Sequence, residues 1–289
     1  MKTILNLFIS LRPKQWSKNF FVFAALVFAR ELFNLPLLEK TLIAFFIFCL
    51  LSSGVYLIND ICDINEDRKH PTKRSRPIAA GKISVKLAIL TAVILLVSGL
   101  STAYLVLNTN FFCAVAIFVF LNFAYSFFLK KIAILDVLLV AVSFVLRALS
   151  GGLAISVFVS PWLLVCTFFL ALFLVLGKRR GDRTDGMDRT NKYTAETLDR
   201  FILVSATAAL LSYVLYSILS ETAKLYAPQK LFYTVPFATF GIFRYFYLVY
   251  QKDHGANPTE VLLSDAPLII NLILWFVLVV IILYNTVNL

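Results

Sequence analysis

Asn59, Asp60, Asp63 and Asp67 form the pattern NDxxDxxxD, and on a continuing helix steps of three and four place the three aspartates on one face. Carboxylates so crowded repel each other unless cations sit between them. Mg²⁺ takes hard oxygen ligands from one or two carboxylates and completes its shell with water and a substrate's phosphate oxygens. The pattern therefore predicts a Mg²⁺–diphosphate site. Directly after it stand Arg68, Lys69, Lys73, Arg74 and Arg76, fit to hold further phosphate oxygens, arginine in bidentate fashion and lysine as a point charge. The plainer alternative is a mixed-charge cytoplasmic loop that only fixes topology. Acids at helical spacing against a membrane boundary, where charge is expensive, favour the metal site.

The elements that must position these residues are membrane spans. A chain of 289 residues that is 60% hydrophobic and 15% charged, with mean hydropathy +0.86, is too apolar for a soluble domain. Crossing the hydrocarbon core takes about 20 apolar residues. Such runs fall near 16–34, 41–60, 84–107, 111–129, 132–154, 159–177, 198–220, 231–250 and 267–287. The expectation is an all-α polytopic bundle of nine transmembrane helices forming one domain over 1–289. Lysine and arginine collect in alternate loops, as the positive-inside rule requires of a correct set of spans. One side receives Lys2, Arg12, Lys14 and Lys18, then the cluster from Arg68 to Lys86, Lys130 and Lys131, the cluster from Lys178 to Arg200, and Arg244 with Lys252. The other side has Arg30, Lys40, Lys224 and Lys230. This places the N-terminus and the long polar loops in the cytoplasm and the C-terminus outside. The net charge of +11 is then a topology signal, with some attraction for anionic lipids and phosphorylated substrates rather than nucleic acid.

The first apolar run is followed by Arg30 and Glu31 without a small-residue cleavage pattern, so it reads as span one rather than a removed leader. Cys49, Cys62, Cys113 and Cys166 stand singly and offer neither a disulfide framework nor paired metal-ligand spacing. His70 and His254 are far apart, which argues against a histidine-based site.

Further candidates lie along the chain. In Leu11–Asn19, Lys14 and Lys18 at i and i+4 make one basic face, read either as an interfacial anchor beside Trp16 or as an anion site. Pro71 and Pro77 break the helix after the aspartates, and the loop they begin closes near Gly81 and Ser84, a natural lid. Asn122, Tyr125 and Ser126 precede Lys130 and Lys131. Asp136 and Arg147 share a helix face about 16 Å apart in height, too far to pair directly; each is costly in lipid and should face the bundle interior. Ser150, Gly151 and Gly152 suit close helix approach. A second cytoplasmic loop begins at Gly177 with Lys178 and Arg179, fit for phosphate, and continues through Asp182, Asp185 and Asp188, fit for metal or merely solvated. Its recurrence four spans after the first suggests two half-sites facing each other.

The run NDxxDxxxDR from Asn59 to Arg68, between spans two and three and followed by a second acidic loop between spans six and seven, resembles the UbiA superfamily of intramembrane prenyltransferases over essentially the whole chain. RPKQWSKN at Arg12–Asn19, HPTKRSRPIAAG at His70–Gly81, LDV at Leu135–Val137 and GKRRGD at Gly177–Asp182 resemble its decaprenyl-phosphate phosphoribosyltransferase branch. The resemblance implies a helical bundle with a central cavity at the cytoplasmic side. It implies 5-phosphoribosyl 1-diphosphate as donor and a polyprenyl phosphate as acceptor, at the cell (inner) membrane. On it, Asp60, Asp63 and Asp67, with Asn59, hold Mg²⁺ and the donor diphosphate. Arg68, Lys73, Arg74 and Arg76 take donor phosphates, while Lys14, Lys18, Lys130 and Arg147 take the acceptor phosphate. Tyr125, Lys178 and Arg179 join the substrate-binding set. Many aromatic-acceptor members carry DxxxD in the second loop, whereas here Asp182, Asp185 and Asp188 are spaced by three, so only Asp182 is carried over as a metal ligand.

Two other readings share parts of this pattern. A prenyltransferase that moves an isoprenoid from its diphosphate onto an aromatic or lipid acceptor needs the same metal motif, and only the extra basic residues point to the phosphoribosyl donor. A transporter or lipid-binding scaffold would place its ionisable residues and broken helices at mid-membrane, whereas the acids here gather at one surface.

Overall fold

Lys2–Ser10 forms α1, and an eleven-residue 3₁₀ segment, Pro13–Phe23, leads into α2, Ala24–Phe28. Pro13 opens the segment because its missing N–H is one that a helix start leaves unpaired anyway. Pro36 plays the same part in α3, Leu35–Cys62. The chain continues with α4, Ile64–Lys69; α5, Val85–Val106; α6, Thr109–Phe127; and α7, Leu135–Ile155. Then come α8, Pro161–Thr184; α9, Ala195–Leu219; α10, Glu221–Tyr226; α11, Val235–Gln251; and α12, Ala266–Tyr284. This computed structural model describes residues 2–184, 192–226, 230–251, 261 and 264–285; Asp185 and Asp188 lie outside them. Ser84, Asn108, Thr194 and Asp265 each accept an N–H of the following turn, which fixes where α5, α6, α9 and α12 begin. No strand occurs among the described residues.

Among the described residues seven helices are long and apolar enough to cross a membrane, those built on α3, α5, α6, α7, α8, α9 and α12. Their outer faces stay apolar. On α5 they carry Ile89, Val93 and Val97, and on α12 Ile270, Ile273, Val277 and Ile281. Exposed apolar side chains in such rows suit lipid tails rather than water. The two other expected spans differ. Residues 16–34 are divided between the 3₁₀ segment and the five-residue α2, and residues 231–250 between a 3₁₀ turn, Lys230–Thr234, and the 17-residue α11.

The chain divides into two compact units, Met1–Leu26 with Asn34–Leu139 and Leu146–Val157, and Val27–Phe33 with Val140–Val145 and Phe158–Leu289. In the first, α3 packs on α5, α6 and the 3₁₀ segment. Phe48 meets Phe118 edge-on at 5.2 Å. Gly151 of α7 lies directly on the 3₁₀ segment, where a Cβ would stand 1.9 Å from the Val22 carbonyl oxygen. Only glycine admits that approach, which is the role its sequence context suggests. In the second unit α8 packs along α9, and Phe173 and Tyr245 form an edge-on pair at 5.2 Å.

Candidate active site

The acidic motif does not stay on one uninterrupted helix. At Asp63 the backbone departs from helical geometry (φ −95°, ψ 4°), ending α3 and starting α4. Hydrogen bonds still bridge the break, from Asp63 N to Asn59 O at 3.0 Å and from Asp67 N to Asp63 O at 2.8 Å. The consequence is a division of the three carboxylates. Asp60 and Asp67 are both buried and share one arginine: Arg76 Nη1 donates to Asp60 Oδ1 at 3.0 Å and to Asp67 Oδ2 at 2.6 Å. Asp63, half-buried, turns instead to Lys130 and to Asn59 Nδ2 at 3.1 Å. Ser126 Oγ, which donates to Asn122 O at 2.9 Å, lies 3.3 Å from Asn59 Oδ1.

A residue that spacing did not single out completes the cluster. Arg12 pairs with the same Asp60 Oδ1 that Arg76 uses, and its guanidinium lies over the Tyr56 ring at 5.1 Å. Arg12 has a left-handed backbone (φ 55°, ψ 58°), which costs a non-glycine residue about 1 kcal/mol. The signal for it was its place at the head of RPKQWSKN, where Lys14 and Lys18 drew attention by their helical spacing. Lys14 is exposed and Lys18 half-buried in the 3₁₀ segment.

That segment is held by buried polar contacts. Trp16 Nε1 donates to Ser53 Oγ at 3.0 Å, and Ser53 Oγ to Leu11 O at 2.9 Å. Asn19, fully buried, donates to Ser52 Oγ at 3.3 Å and accepts from Arg147 Nε at 2.9 Å. Arg147 is buried as expected, over the Phe118 ring at 4.7 Å and the Phe48 ring at 6.0 Å. Asp136 is also buried, in the first turn of α7, where a helix dipole favours a carboxylate.

The loop after α4 is fastened rather than loose. Ile78 and Ile83 bury against Leu57, Ala88 and Ala92, and Arg68 Nε donates to Ala79 O at 3.1 Å. His70 organises the turn, its Nδ1 accepting from Thr72 N and Lys73 N, each at 3.3 Å. Lys73 is half-buried, while Arg68 and Arg74 are largely exposed. Tyr125 is half-buried beside Ser126.

In the second unit, α8 ends in the GKRRGD run. Arg180 donates from Nε to Asp199 Oδ1 at 2.8 Å and lies 5.7 Å from the Tyr250 ring centre. Tyr250 OH donates to the same oxygen at 2.7 Å. Gly177 seats the Tyr245 ring, which a Cβ would approach to 2.8 Å. Lys178 is exposed, and Arg179 and Asp182 are half-buried.

Among the described residues no three His, Cys, Asp or Glu side chains gather at one point to cage a metal. Asp60 and Asp67 nonetheless suit Mg²⁺, since a single positive nitrogen already sits between their oxygens and this ion commonly takes only one or two carboxylates, finishing its shell on substrate phosphates.

Fold and site thus define an all-helical integral membrane protein with an acidic helix end clasped by arginine and lysine. Comparison with known proteins gives the family. Residues 19–263 match the UbiA prenyltransferase family, and the chain belongs to that family. It is 36% identical to a decaprenyl-phosphate phosphoribosyltransferase of Corynebacterium glutamicum, over 95% of this chain and 86% of that one. It is 35% identical to a protein of the same name from Mycolicibacterium smegmatis, over 94% and 90%. Among solved structures, a UbiA homolog from Archaeoglobus fulgidus bound to DMAPP and Mg²⁺ shares the fold, with a TM-score of 0.71 at 20% identity over 98% of this chain and 99% of that one.

Proposed function

We propose that this chain transfers the 5-phosphoribosyl group of 5-phosphoribosyl 1-diphosphate to a polyprenyl phosphate of decaprenyl type. A phosphate oxygen of the acceptor bonds to C1 of the ribose as the bond from C1 to the diphosphate oxygen breaks. The products are polyprenyl-phosphoryl 5-phosphoribose and diphosphate. The observation that carries this reading is the 36% identity to a decaprenyl-phosphate phosphoribosyltransferase over 95% of the chain.

Bound Mg²⁺ would neutralise charge on the leaving diphosphate. Asp60, Asp67 and Asp63 hold that ion and its diphosphate, with Asn59 orienting Asp63. Arg76, Lys73, Arg74 and Arg68 receive donor phosphates. Lys14, Lys18 and Lys130 receive the acceptor phosphate, while Arg147, whose Nε is engaged by Asn19, holds the segment that carries the first two. Tyr125 flanks this set, and Lys178, Arg179 and Asp182 are assigned to phosphate and metal by residue type. The acceptor oxygen is anionic near neutral pH, so positioning and charge stabilisation suffice without a dedicated base. The reading includes one working domain over 1–289 with nine spans in the cell membrane, a cavity at the cytoplasmic side, the N-terminus inside and the C-terminus outside.

The test is a substrate assay on purified protein. Radiolabelled phosphoribosyl diphosphate, Mg²⁺ and polyprenyl phosphate should yield an acid-labile glycolipid. Product formed only from a polyprenyl diphosphate and an aromatic acid would replace this reading by ordinary prenyl transfer.

A further inference from the structure

Asp60 Oδ1 is occupied twice, by Arg12 Nη2 and by Arg76 Nη1, in a side chain 2% exposed. A carboxylate oxygen offers about two lone-pair sites, so both are spent on guanidinium. An inner-sphere Mg²⁺ on this oxygen, about 2.0–2.1 Å from its ligand, displaces one of these N–H groups, and one on the other oxygen of Asp60 lies within a few ångströms of both guanidinium groups. The displaced arginine is then half-buried beside a divalent cation. Charge makes the same demand: Asp60, Asp63 and Asp67 face Arg12, Arg76 and Lys130, three negative groups against three positive, and the cluster is neutral. An ion entering alone leaves an excess of positive charge in a poorly solvated site, which is costly. An ion entering with a diphosphate does not, and the diphosphate gives the released guanidinium groups new acceptors in bidentate geometry.

We propose that Arg12 and Arg76 are exchange partners that give up Asp60 and Asp67 for the donor's phosphate oxygens, so that the site takes divalent ion and diphosphate together and disfavours the ion alone. This deepens the donor-diphosphate reading above and rests on it. Coupling of this kind is reciprocal: whatever factor diphosphate adds to ion affinity, the ion adds to diphosphate affinity.

The experiment uses the full chain in detergent micelles with Mn²⁺ as the spectroscopic probe and inorganic pyrophosphate as the anion. Free Mn²⁺ is read by electron paramagnetic resonance without pyrophosphate, and retention of radiolabelled pyrophosphate is read by equilibrium dialysis at fixed Mn²⁺. Wild type should bind Mn²⁺ weakly by itself and retain pyrophosphate only when Mn²⁺ is present. Arg76→Gln and Arg12→Gln should each tighten binding of Mn²⁺ alone by about tenfold or more, since a like charge a few ångströms from the ion is gone, while weakening pyrophosphate retention by a similar factor. Asp60→Asn should lose both. The inference is overturned if either arginine variant, eluting as a folded monodisperse species, leaves affinity for Mn²⁺ alone unchanged or weaker. Should both variants misfold, wild type still decides, because Mn²⁺ bound alone as tightly as with pyrophosphate also overturns it. Wild type that retains no pyrophosphate at any Mn²⁺ concentration refutes the donor-diphosphate reading itself.

Discussion

Replacing Asn19 with leucine, of nearly the same shape, removes one contact of consequence. Asn19 is fully buried and accepts from Arg147 Nε at 2.9 Å. Ser52 does not depend on it, because its hydroxyl also donates to Phe48 O at 2.5 Å. A hydrogen bond to a charged group contributes about 1.5–3 kcal/mol net. Asn19→Leu should therefore cost about 2–3 kcal/mol, lowering the unfolding midpoint in mild detergent by about 4–12 °C. Arg147→Met keeps an apolar side chain against Phe118 and Phe48 but leaves the Asn19 oxygen without that donor, so it should cost a comparable amount. Both changes together replace the pair by apolar groups and should cost far less than the sum, giving a coupling of about 1.5–3 kcal/mol. Because the segment pinned by this pair carries Lys14 and Lys18, Asn19→Leu should raise KM for the polyprenyl phosphate more than it lowers kcat. Unchanged stability in Asn19→Leu, or strict additivity in the cycle, refutes the claim that this pair holds the segment.

Asp60→Ala and Asp63→Ala should each reduce transfer by about a thousandfold or more while the protein elutes from size exclusion as wild type does; full activity in both would defeat the metal assignment. Gly151→Ala puts a methyl group 1.9 Å from a backbone carbonyl, and the forced separation should cost about 1–3 kcal/mol, visible as a lower melting point. Asp199→Ala removes the shared acceptor of Arg180 and Tyr250; as that carboxylate is partly exposed, the expected loss is only about 1 kcal/mol, measured by thermal unfolding with and without salt.

Sequence alone marked the acids, their place at a helix end and the membrane around them, because those features are written in short spacings. Steps of three and four are local, and so is an apolar run of twenty. What it left dark is non-local. Arg12 reaches Asp60 across 48 positions, Lys130 reaches Asp63 across 67, and Arg147 reaches Asn19 across 128. Periodicity carries no record of such pairings. The basic residues of the first loop look interchangeable by composition, yet Arg76 alone among them is paired with two motif carboxylates, while Arg68 is spent on a loop carbonyl. The break at Asp63 was equally hidden, since neither proline nor glycine marks it.

The break and the pairings together change the expected part played by the loop. A lid must swing, and this loop is anchored at several points. Ile78 and Ile83 sit in the core under it, and fully burying one such side chain is worth about 1.5–3 kcal/mol. Its Arg76 reaches inward to Asp60 and Asp67, and its Ala79 carbonyl accepts from Arg68 of α4. Lifting the whole loop would expose both isoleucines and take Arg76 from Asp60 and Asp67 at once. Rotating the Arg76 side chain from carboxylate to phosphate exposes neither isoleucine and keeps the guanidinium supplied with acceptors. The less costly motion is therefore in side chains against a fixed backbone, and the loop acts as a clasp whose grip passes from the protein's own acids to the ligand's.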